Sequence, residues 1–273
     1  MSSETFRQVE TRSKAEGFDE VLERRARLLS AMGEDAFNDS SRMDQAEAIF
    51  RQSWRTTGDL LRRAPNDPQR LFDHAQNEYW LGAVPNFRRD KAGAAPHLRA
   101  YRALVARLEA VEPGSPRTRR ELGYAESNLC QLALMAPEDP REAASHCQQA
   151  ADAKGSLAKA DPNDVQSQID YANGLAWLAD AHQAAGDPDG ATAIRRRQVA
   201  LMEALAGRFS DDFRVLHFLM LARVGLAKHA RQVGDDTTAE AMKAAATAIL
   251  ARLTAHDPSN RDWALWHQRI PQI

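Results

Sequence analysis

Helix-breaking segments recur at an almost constant interval along the chain, and this recurrence restricts the possible folds more than any other feature. The segments are rich in Pro, Asp, Ser and Gly, and their landmark residues are 48, 49, 48 and 48 positions apart: Pro65, Pro113, Pro162, Ser210 and Pro258. Such a period is typical of a structural unit that is repeated along the chain. The sequence therefore predicts a repeat protein.

Two further landmarks keep the same register. Leu81, Leu129, Leu178 and Leu226 are 48, 49 and 48 residues apart. Turn-forming residues follow eight positions after each leucine, where the chain has Arg89-Asp90, Pro137-Glu138, Gly186-Asp187 and Gly234-Asp235. Apolar residues at helical spacing come after these turns. Each unit is therefore predicted to contain a helix, a tight turn, a second helix and a corner.

The predicted fold is all-α: an α-α superhelix, or solenoid, of about five helical hairpins with a C-terminal capping helix. Alanine and leucine dominate the composition, which favours helix over strand. We expect a lead-in segment at 1–16 and a single repeat domain at 17–273. The expected units are 17–64, 65–112, 113–161, 162–209 and 210–257, and the expected cap is 258–273, in which Trp263 and Trp266 cover the apolar end of the stack.

The units resemble tetratricopeptide repeats, in the long variant of about 48 residues found in bacterial multidomain signalling proteins. Leu178-Ala179, Gly186-Asp187 and Ala191 match the signature, which recurs at Leu226-Ala227, Gly234-Asp235 and Ala239. The signature glycine is kept at Leu81-Gly82 and replaced at Cys130, Ala179 and Ala227. In the first unit it falls at Met32-Gly33 after a shift of one residue.

This resemblance implies a groove, lined by the first helix of each unit, that binds a peptide or another protein. Its positions lie five and two residues before the signature leucine and two and five after it, which places them on one helix face. The apolar members are Ala83, Leu134, Ala176, Leu221 and Val224. The polar and aromatic candidates for partner binding are Gln76, Tyr79, Asn86, Tyr124, Ser127, Gln131, Asn173, Asp180, Gln183, Lys228 and Arg231.

The charge and hydropathy of the chain argue against other partners. A formal net charge of -2 does not favour nucleic acid, and we interpret the cluster Arg195-Arg196-Arg197 as a solvated helix face. No apolar run is long enough for a membrane span, and the N-terminus lacks a signal peptide, so we expect a cytoplasmic protein. Cys130 and Cys147 are too few for a disulfide framework. We expect them to be small buried apolar residues in a reducing compartment.

Three kinds of pattern would indicate a metal site or catalysis instead of a binding scaffold. Asp235, Asp236 and Glu240 could bind magnesium diphosphate, but they fall at a predicted turn where aspartate caps a helix. The His74/Glu78 pair, and His146-Cys147 with Cys130, provide too few ligands for zinc. Phosphate-loop and hydrolase motifs are absent from the sequence. We therefore expect no cofactor, no metal and no catalysis.

The leading hypothesis is a non-catalytic scaffold or sensor module that binds a peptide or protein, as part of a larger bacterial signalling, regulatory or defence protein. The first alternative is self-assembly, with a homodimer formed through the apolar faces of the terminal hairpins. The remote alternative is an all-helical enzyme that uses Asp235, Asp236 and Glu240 to bind magnesium diphosphate.

Overall fold

The helices begin and end in the register of the sequence repeat. The computed structural model describes the backbone of residues 3–135 and 140–273, and the side chains of 17–135 and 140–273. In these residues there are eleven α-helices, two short 3-10 helices at Ser40–Arg42 and Ile270–Gln272, and no strand. The α-helices are α1 Ser3–Phe37, α2 Met43–Arg63, α3 Pro68–Phe87, α4 Lys91–Val111, α5 Pro116–Met135, α6 Pro140–Ala160, α7 Val165–Ala184, α8 Pro188–Arg208, α9 Phe213–Gln232, α10 Asp236–His256 and α11 Arg261–Arg269.

We call the odd-numbered helices A helices and the even-numbered helices B helices. From α3 onward, the A helices start 48, 49, 48 and 48 residues apart, and the B helices from α2 onward start at the same intervals. The all-α prediction is therefore confirmed, as is the division of the chain into helical hairpins. Residues 3–16, predicted as a lead-in segment, form the first part of α1. The turn predicted at Pro137-Glu138 lies outside the described residues.

Side chains in the breaker segments cap the helices that follow them. Asp67, Asp164, Asp212 and Asn260 accept hydrogen bonds from backbone N–H groups in the first turn of α3, α7, α9 and α11. These bonds satisfy donors that the helix itself leaves free. The aspartates of the tight turns do the same for the B helices: Asp90, Asp187 and Asp235 cap α4, α8 and α10.

The tight turn between an A helix and a B helix needs one residue with a positive φ angle. Glycine supplies it twice, at Gly186 with φ 78° and at Gly234 with φ 80°. At the register-equivalent position in the second hairpin the residue is Arg89, whose φ is 61°. A side chain with a Cβ atom adopts this conformation at a cost, whereas glycine does not.

Replacement of Arg89 by glycine is therefore expected to stabilise the protein by about 1 kcal/mol, because it removes the strain of the left-handed backbone. Urea denaturation followed by circular dichroism measures the change. The reverse substitution, Gly186→Ala, is the matched control, and we expect it to destabilise the protein by a similar amount. Loss of stability in Arg89→Gly would contradict the turn assignment.

The contacts of the chain cluster into two units, unit 1 at 1–128 and unit 2 at 129–273, whose boundary lies within α5. The prediction of a single domain at 17–273 stays a prediction. In unit 1, α1 packs on α2, α2 on α3 and α3 on α4. In unit 2, each helix from α6 to α11 packs on the next. In the last hairpin the A helix is the more buried: ten residues of α9 are buried, against five of α10.

The C-terminal helix closes the end of the core of unit 2. Trp263 of α11 and Ile270, at the start of the following 3-10 helix, are buried against the cluster formed by α9 and α10, and Trp266 packs partly buried beside them. This arrangement matches the capping role expected for 258–273.

One glycine on α1 and one on α3 lie in close contact with the paired B helix. A Cβ atom added at Gly33 would overlap the Phe50 ring, and one added at Gly82 would come within 2.7 Å of the Leu98 side chain. Glycine is therefore required there for the two helices to approach. The Gly33–Phe50 contact also supports the one-residue shift that places the first hairpin in the repeat.

In the third hairpin, the same two positions are Cys130 and Cys147, and they form a disulfide with a sequence separation of 17 residues. Our expectation that both cysteines are unpaired is wrong. The reason is geometrical: the A and B positions that meet in the first two hairpins both carry a sulfur in this one. Both residues are fully buried, among Ala143, Leu178 and Ala181.

Candidate partner-binding face

The predicted groove residues of unit 1 are occupied by contacts within the protein. The Gln76 side-chain amide donates a hydrogen bond of 2.6 Å to Glu121 Oε2. The Tyr101 hydroxyl donates to the same oxygen, also at 2.6 Å. Burial, together with the neighbouring Glu121 carboxylate, raises the pKa of Tyr101 well above its usual value. Glu121 thus links α3, α4 and α5 from a buried position.

Aromatic packing holds the next residues of this face. The Tyr79 ring lies 4.8 Å from that of Trp80 and 5.7 Å from that of Tyr101, measured between centroids. Burial raises the pKa of Tyr79. Ser127 is buried, and its hydroxyl donates to the Gly123 carbonyl oxygen at 2.8 Å, so this predicted residue does not reach the surface.

The other predicted residues of α3 and α5 are half-buried: Asn86, Tyr124 and Gln131. The Tyr124 carbonyl oxygen accepts a hydrogen bond from the Asn128 side chain at 2.8 Å. These positions therefore add little open surface to the candidate face.

Helix α7 of unit 2 differs from α3 and α5 in combining an exposed tryptophan with polar side chains. Asn173 is half-buried and Gln183 is exposed, and neither side chain has a hydrogen-bond partner among the described residues. Trp177 lies four residues after Asn173, on the same face of α7. Its side chain is also without a hydrogen bond or ring contact in the described part of the chain, and the residue is 37% exposed. The α7 face thus offers an indole between two amides.

A largely buried arginine of α8 lies against α7 and α9. Arg195 of α8 pairs with Asp180 of α7, and its guanidinium also donates to Gln198 Oε1 at 3.1 Å. A Cβ atom added at Gly225 of α9 would lie 2.8 Å from Arg195 Nη1, so the bare backbone of α9 leaves room for the guanidinium. The Arg195 side chain is 11% exposed. Our interpretation of the arginine cluster as a solvated face is therefore wrong for its first member.

The predicted residues of α9 are exposed cations with partners. Lys228 Nζ lies 5.9 Å from the centroid of the Trp266 ring. Arg231 pairs with Asp236 and Glu240 of α10 and donates to the Ile273 carbonyl oxygen at 3.2 Å. Both of these cations therefore make contacts with the helices and the C-terminal residues that follow α9.

The acidic cluster of α10 has structural contacts. Asp235 caps α10 by accepting a hydrogen bond of 3.0 Å from the Thr238 backbone. Asp236 and Glu240 both pair with Arg231, as described above. In the described residues, no group of three or more His, Cys, Asp or Glu side chains is arranged to hold a metal ion. None of the described helices has the length and apolar character needed to span a bilayer.

Sequence reasoning missed Trp177 as a surface residue. The family offsets skip the position just before the signature leucine, where the other units have Trp80, Asn128 and Gly225. A signal was nevertheless present, because Asn173, Trp177 and Asp180 have the spacing of one helix face. An aromatic residue among polar ones on such a face is a candidate for binding.

Comparisons with known proteins support the fold. No family model matches the chain, and no curated protein matches it either. Among solved structures, BtubC (BKLC) from P. vanneervenii matches with a TM-score of 0.56 and 17% identity, over 88% of this chain and 94% of that one. A thermophilic TPR protein from Thermus thermophilus gives a TM-score of 0.46 and 17% identity, over 91% of this chain and 100% of that one.

These findings and the succession of hairpins define the class of the protein, which is an all-α protein built of successive helical hairpins. The predicted fold class is therefore confirmed, and the comparisons support it at the level of fold alone.

Proposed function

We propose that the protein is a non-catalytic scaffold or sensor module that binds a protein or peptide through the α7 face of unit 2. By α7 face we mean Asn173, Trp177, Asp180 and Gln183. The observation that carries this proposal is the exposed indole of Trp177 between two unpaired side-chain amides. A role in a larger bacterial signalling, regulatory or defence protein belongs to the same proposal.

The chemistry of the α7 face suits a peptide segment. Tryptophan is enriched among the residues that dominate binding energy at protein interfaces, because it buries a large area and can donate a hydrogen bond. The amides of Asn173 and Gln183 can each donate to a peptide carbonyl and accept from a peptide N–H. Since Arg195 already neutralises Asp180, the face does not select a strongly charged partner.

Replacement of Trp177 by alanine tests the proposal. We expect the variant to lose a partner that copurifies with the unaltered protein from its native cells, because truncation of a central interface tryptophan costs about 2 kcal/mol or more. The matched control is Leu265→Ala, which truncates a residue of α11 in the same unit that is 44% exposed. Retention of every partner by Trp177→Ala, or equal losses in both variants, would refute the proposal.

A second candidate function is self-association through α1. Among residues 17–37 of this helix, whose side chains the structure describes, four large apolar residues are exposed: Phe18 at 57%, Val21 at 62%, Leu28 at 63% and Met32 at 49%. Their spacings of 3, 7 and 4 residues place them on one side of the helix, with the pattern of a coiled-coil seam. A second copy of the chain would present the same stripe, and a two-fold dimer pairs identical surfaces.

Sedimentation velocity measures whether the chain dimerises through α1. We expect the unaltered chain to dimerise as its concentration rises and Leu28→Glu to remain monomeric. Val111→Glu, at the end of α4, is the control and should dimerise normally. A monomer at every concentration would exclude the dimer.

The expected cytoplasmic location also stays a prediction. The disulfide is a feature more typical of oxidising compartments than of the cytosol. Fractionation of the native cells would decide between the two.

A further inference from the structure

Unit 1 contains a cationic cleft on the opposite side of its A helices from the groove positions. The cleft lies between α2, α3 and α4 and has a volume of about 510 Å³. That volume is within the range of sites that bind small molecules. Its walls include Trp54, Gly58 and His74, and three arginines line it: Arg55, Arg62 and Arg107.

Positive charge exceeds negative charge in this cleft. The three arginines face a single carboxylate among the lining residues, that of Asp59, which pairs with Arg62. Arg107 donates a hydrogen bond of 2.7 Å to the Pro65 carbonyl oxygen, an arrangement that holds its guanidinium at the cleft wall. Arg55 has no hydrogen bond or ion pair among the described residues.

His74 provides a neutral polar group in the same cleft. Burial lowers its pKa, and the nearby Arg107 and Arg62 lower it further against the opposing influence of Glu78. The Glu78 carboxylate lies behind the histidine and already accepts hydrogen bonds from Trp54 Nε1 at 2.7 Å and from His97 Nδ1 at 2.6 Å. Glu78 is not among the residues that line the cleft, and both of its oxygens already accept these hydrogen bonds.

Unit 2 has a cleft at the equivalent position of the repeat. Comparison of the two clefts shows which features belong to the repeat and which are specific to unit 1. The unit 2 cleft, of about 520 Å³, lies between α6, α7 and α8. Gly155 and Tyr171 stand 97 positions after Gly58 and His74, and in both clefts the glycine of the B helix faces the ring of the A helix. The shape is thus a property of the repeat.

The clefts differ in charge: Lys159 and Arg197 exceed Asp152 by one charge among the residues that line the unit 2 cleft, whereas the excess in unit 1 is two. The position equivalent to Arg55 carries an aspartate, Asp152, whose carboxylate accepts a hydrogen bond of 2.8 Å from Gln148. The position equivalent to Arg107 carries Ala204. Arg107 has a structural role, because an arginine of the B helix also donates to the equivalent corner carbonyl in Arg208–Pro162. Arg55 makes no hydrogen bond or ion pair among the described residues, and the fold forms the same cleft without it, so packing does not explain its presence in unit 1.

We propose that the cleft of unit 1 binds a small phosphate monoester with an aromatic body. Guanidinium groups match phosphate oxygens in geometry and charge, and the excess of two positive charges suits a dianion. Trp54, Leu61 and the bare backbone of Gly58 form an apolar wall on which a ring can lie. This ligand site is separate from the α7 face of unit 2.

Nuclear magnetic resonance titration of the full chain with phenyl phosphate tests the proposal. We expect the Trp54 indole and His74 imidazole signals to shift, and Arg55→Gln to weaken binding about tenfold, since a charge-assisted hydrogen bond contributes about 1.4 kcal/mol or more. Arg55 is exposed and unpaired, so the variant should fold normally. Arg197→Gln, in the unit 2 cleft, is the matched control and should bind like the unaltered chain.

Two further probes define the ligand class. Inorganic phosphate lacks the ring and benzoate lacks the second charge, and we expect both to bind more weakly than phenyl phosphate. Equal binding of inorganic phosphate would overturn the aromatic part of the proposal, and equal binding of benzoate would overturn the phosphate part. Unmoved Trp54 and His74 signals at millimolar phenyl phosphate, or unchanged affinity in Arg55→Gln, would overturn the site itself.

Discussion

Reduction of the Cys130–Cys147 disulfide is expected to destabilise the protein by about 3 kcal/mol. The bond closes a loop with a sequence separation of 17 residues, and in the chain-entropy model a loop of this length restricts the unfolded state by about that amount. For a chain of this size, the melting temperature should fall by roughly 5 °C. Because both cysteines are buried, full reduction requires transient unfolding in the presence of the reductant.

The measurement compares urea denaturation of the oxidised and reduced protein, with thiol titration to confirm the redox state. The double variant Cys130→Ala/Cys147→Ala is the control, and its stability should not respond to reductant. Equal stability of the oxidised and fully reduced chains would show that the bond does not constrain the unfolded state as argued.

The second large effect is expected at Gly82, where α3 and α4 are in close contact. Valine at this position should destabilise the protein by about 3 kcal/mol, because overpacking displaces neighbouring groups. The first atom of the new side chain would lie 2.7 Å from Leu98 Cδ2 and 3.3 Å from the Leu98 backbone nitrogen. The side chain can move aside, but the backbone of α4 cannot do so without separating the two helices.

Gly207→Val is the control for this prediction. Gly207 also lies in a helix, but a Cβ atom there would meet no atom within 4 Å. We expect a change of about 0.5 kcal/mol or less, as for other surface substitutions. Denaturant titration should also show that Leu98→Ala, combined with Gly82→Val, is less damaging than the sum of the two. Full additivity would contradict the proposed contact.

The helices and turns could be predicted from the sequence because their signals are local. Breaker segments, capping aspartates and turn glycines act within a few residues, so the positions of Asp187 and Gly186 alone indicate where α7 ends and α8 begins. Arg89 shows the limit of this reasoning. Its residue type does not indicate a positive φ angle, and only the register of the repeat places it at the turn.

The contacts of the candidate site could not be predicted in the same way. Gln76 and Tyr79 occupy the predicted face, but whether a polar side chain is available depends on its neighbours, and Glu121 and Tyr101 come from other helices. The disulfide was missed for a related reason. Cys130 and Cys147 occupy the positions at which Gly82 and Leu98 are in contact in the preceding hairpin. The register of the repeat therefore indicated that the two cysteines meet, whereas the number of cysteines did not.

The α7 face is therefore available for two reasons. Gly225 has no side chain, and Trp177 has no partner among the described residues. The first opens the space that the Arg195 guanidinium fills. The second leaves an indole for a binding partner. Neither feature recurs in unit 1, where the position equivalent to Trp177 is Trp80, whose ring stacks on Phe50 with centroids 5.2 Å apart.

The most direct test of partner binding is a calorimetric affinity measurement. A peptide selected from a random library against the unaltered chain would be titrated into that chain, Trp177→Ala and Leu265→Ala. The account predicts that Kd rises about thirtyfold or more in Trp177→Ala, corresponding to a loss of about 2 kcal/mol, and stays unchanged in Leu265→Ala. Equal affinity for the unaltered chain and Trp177→Ala would contradict it.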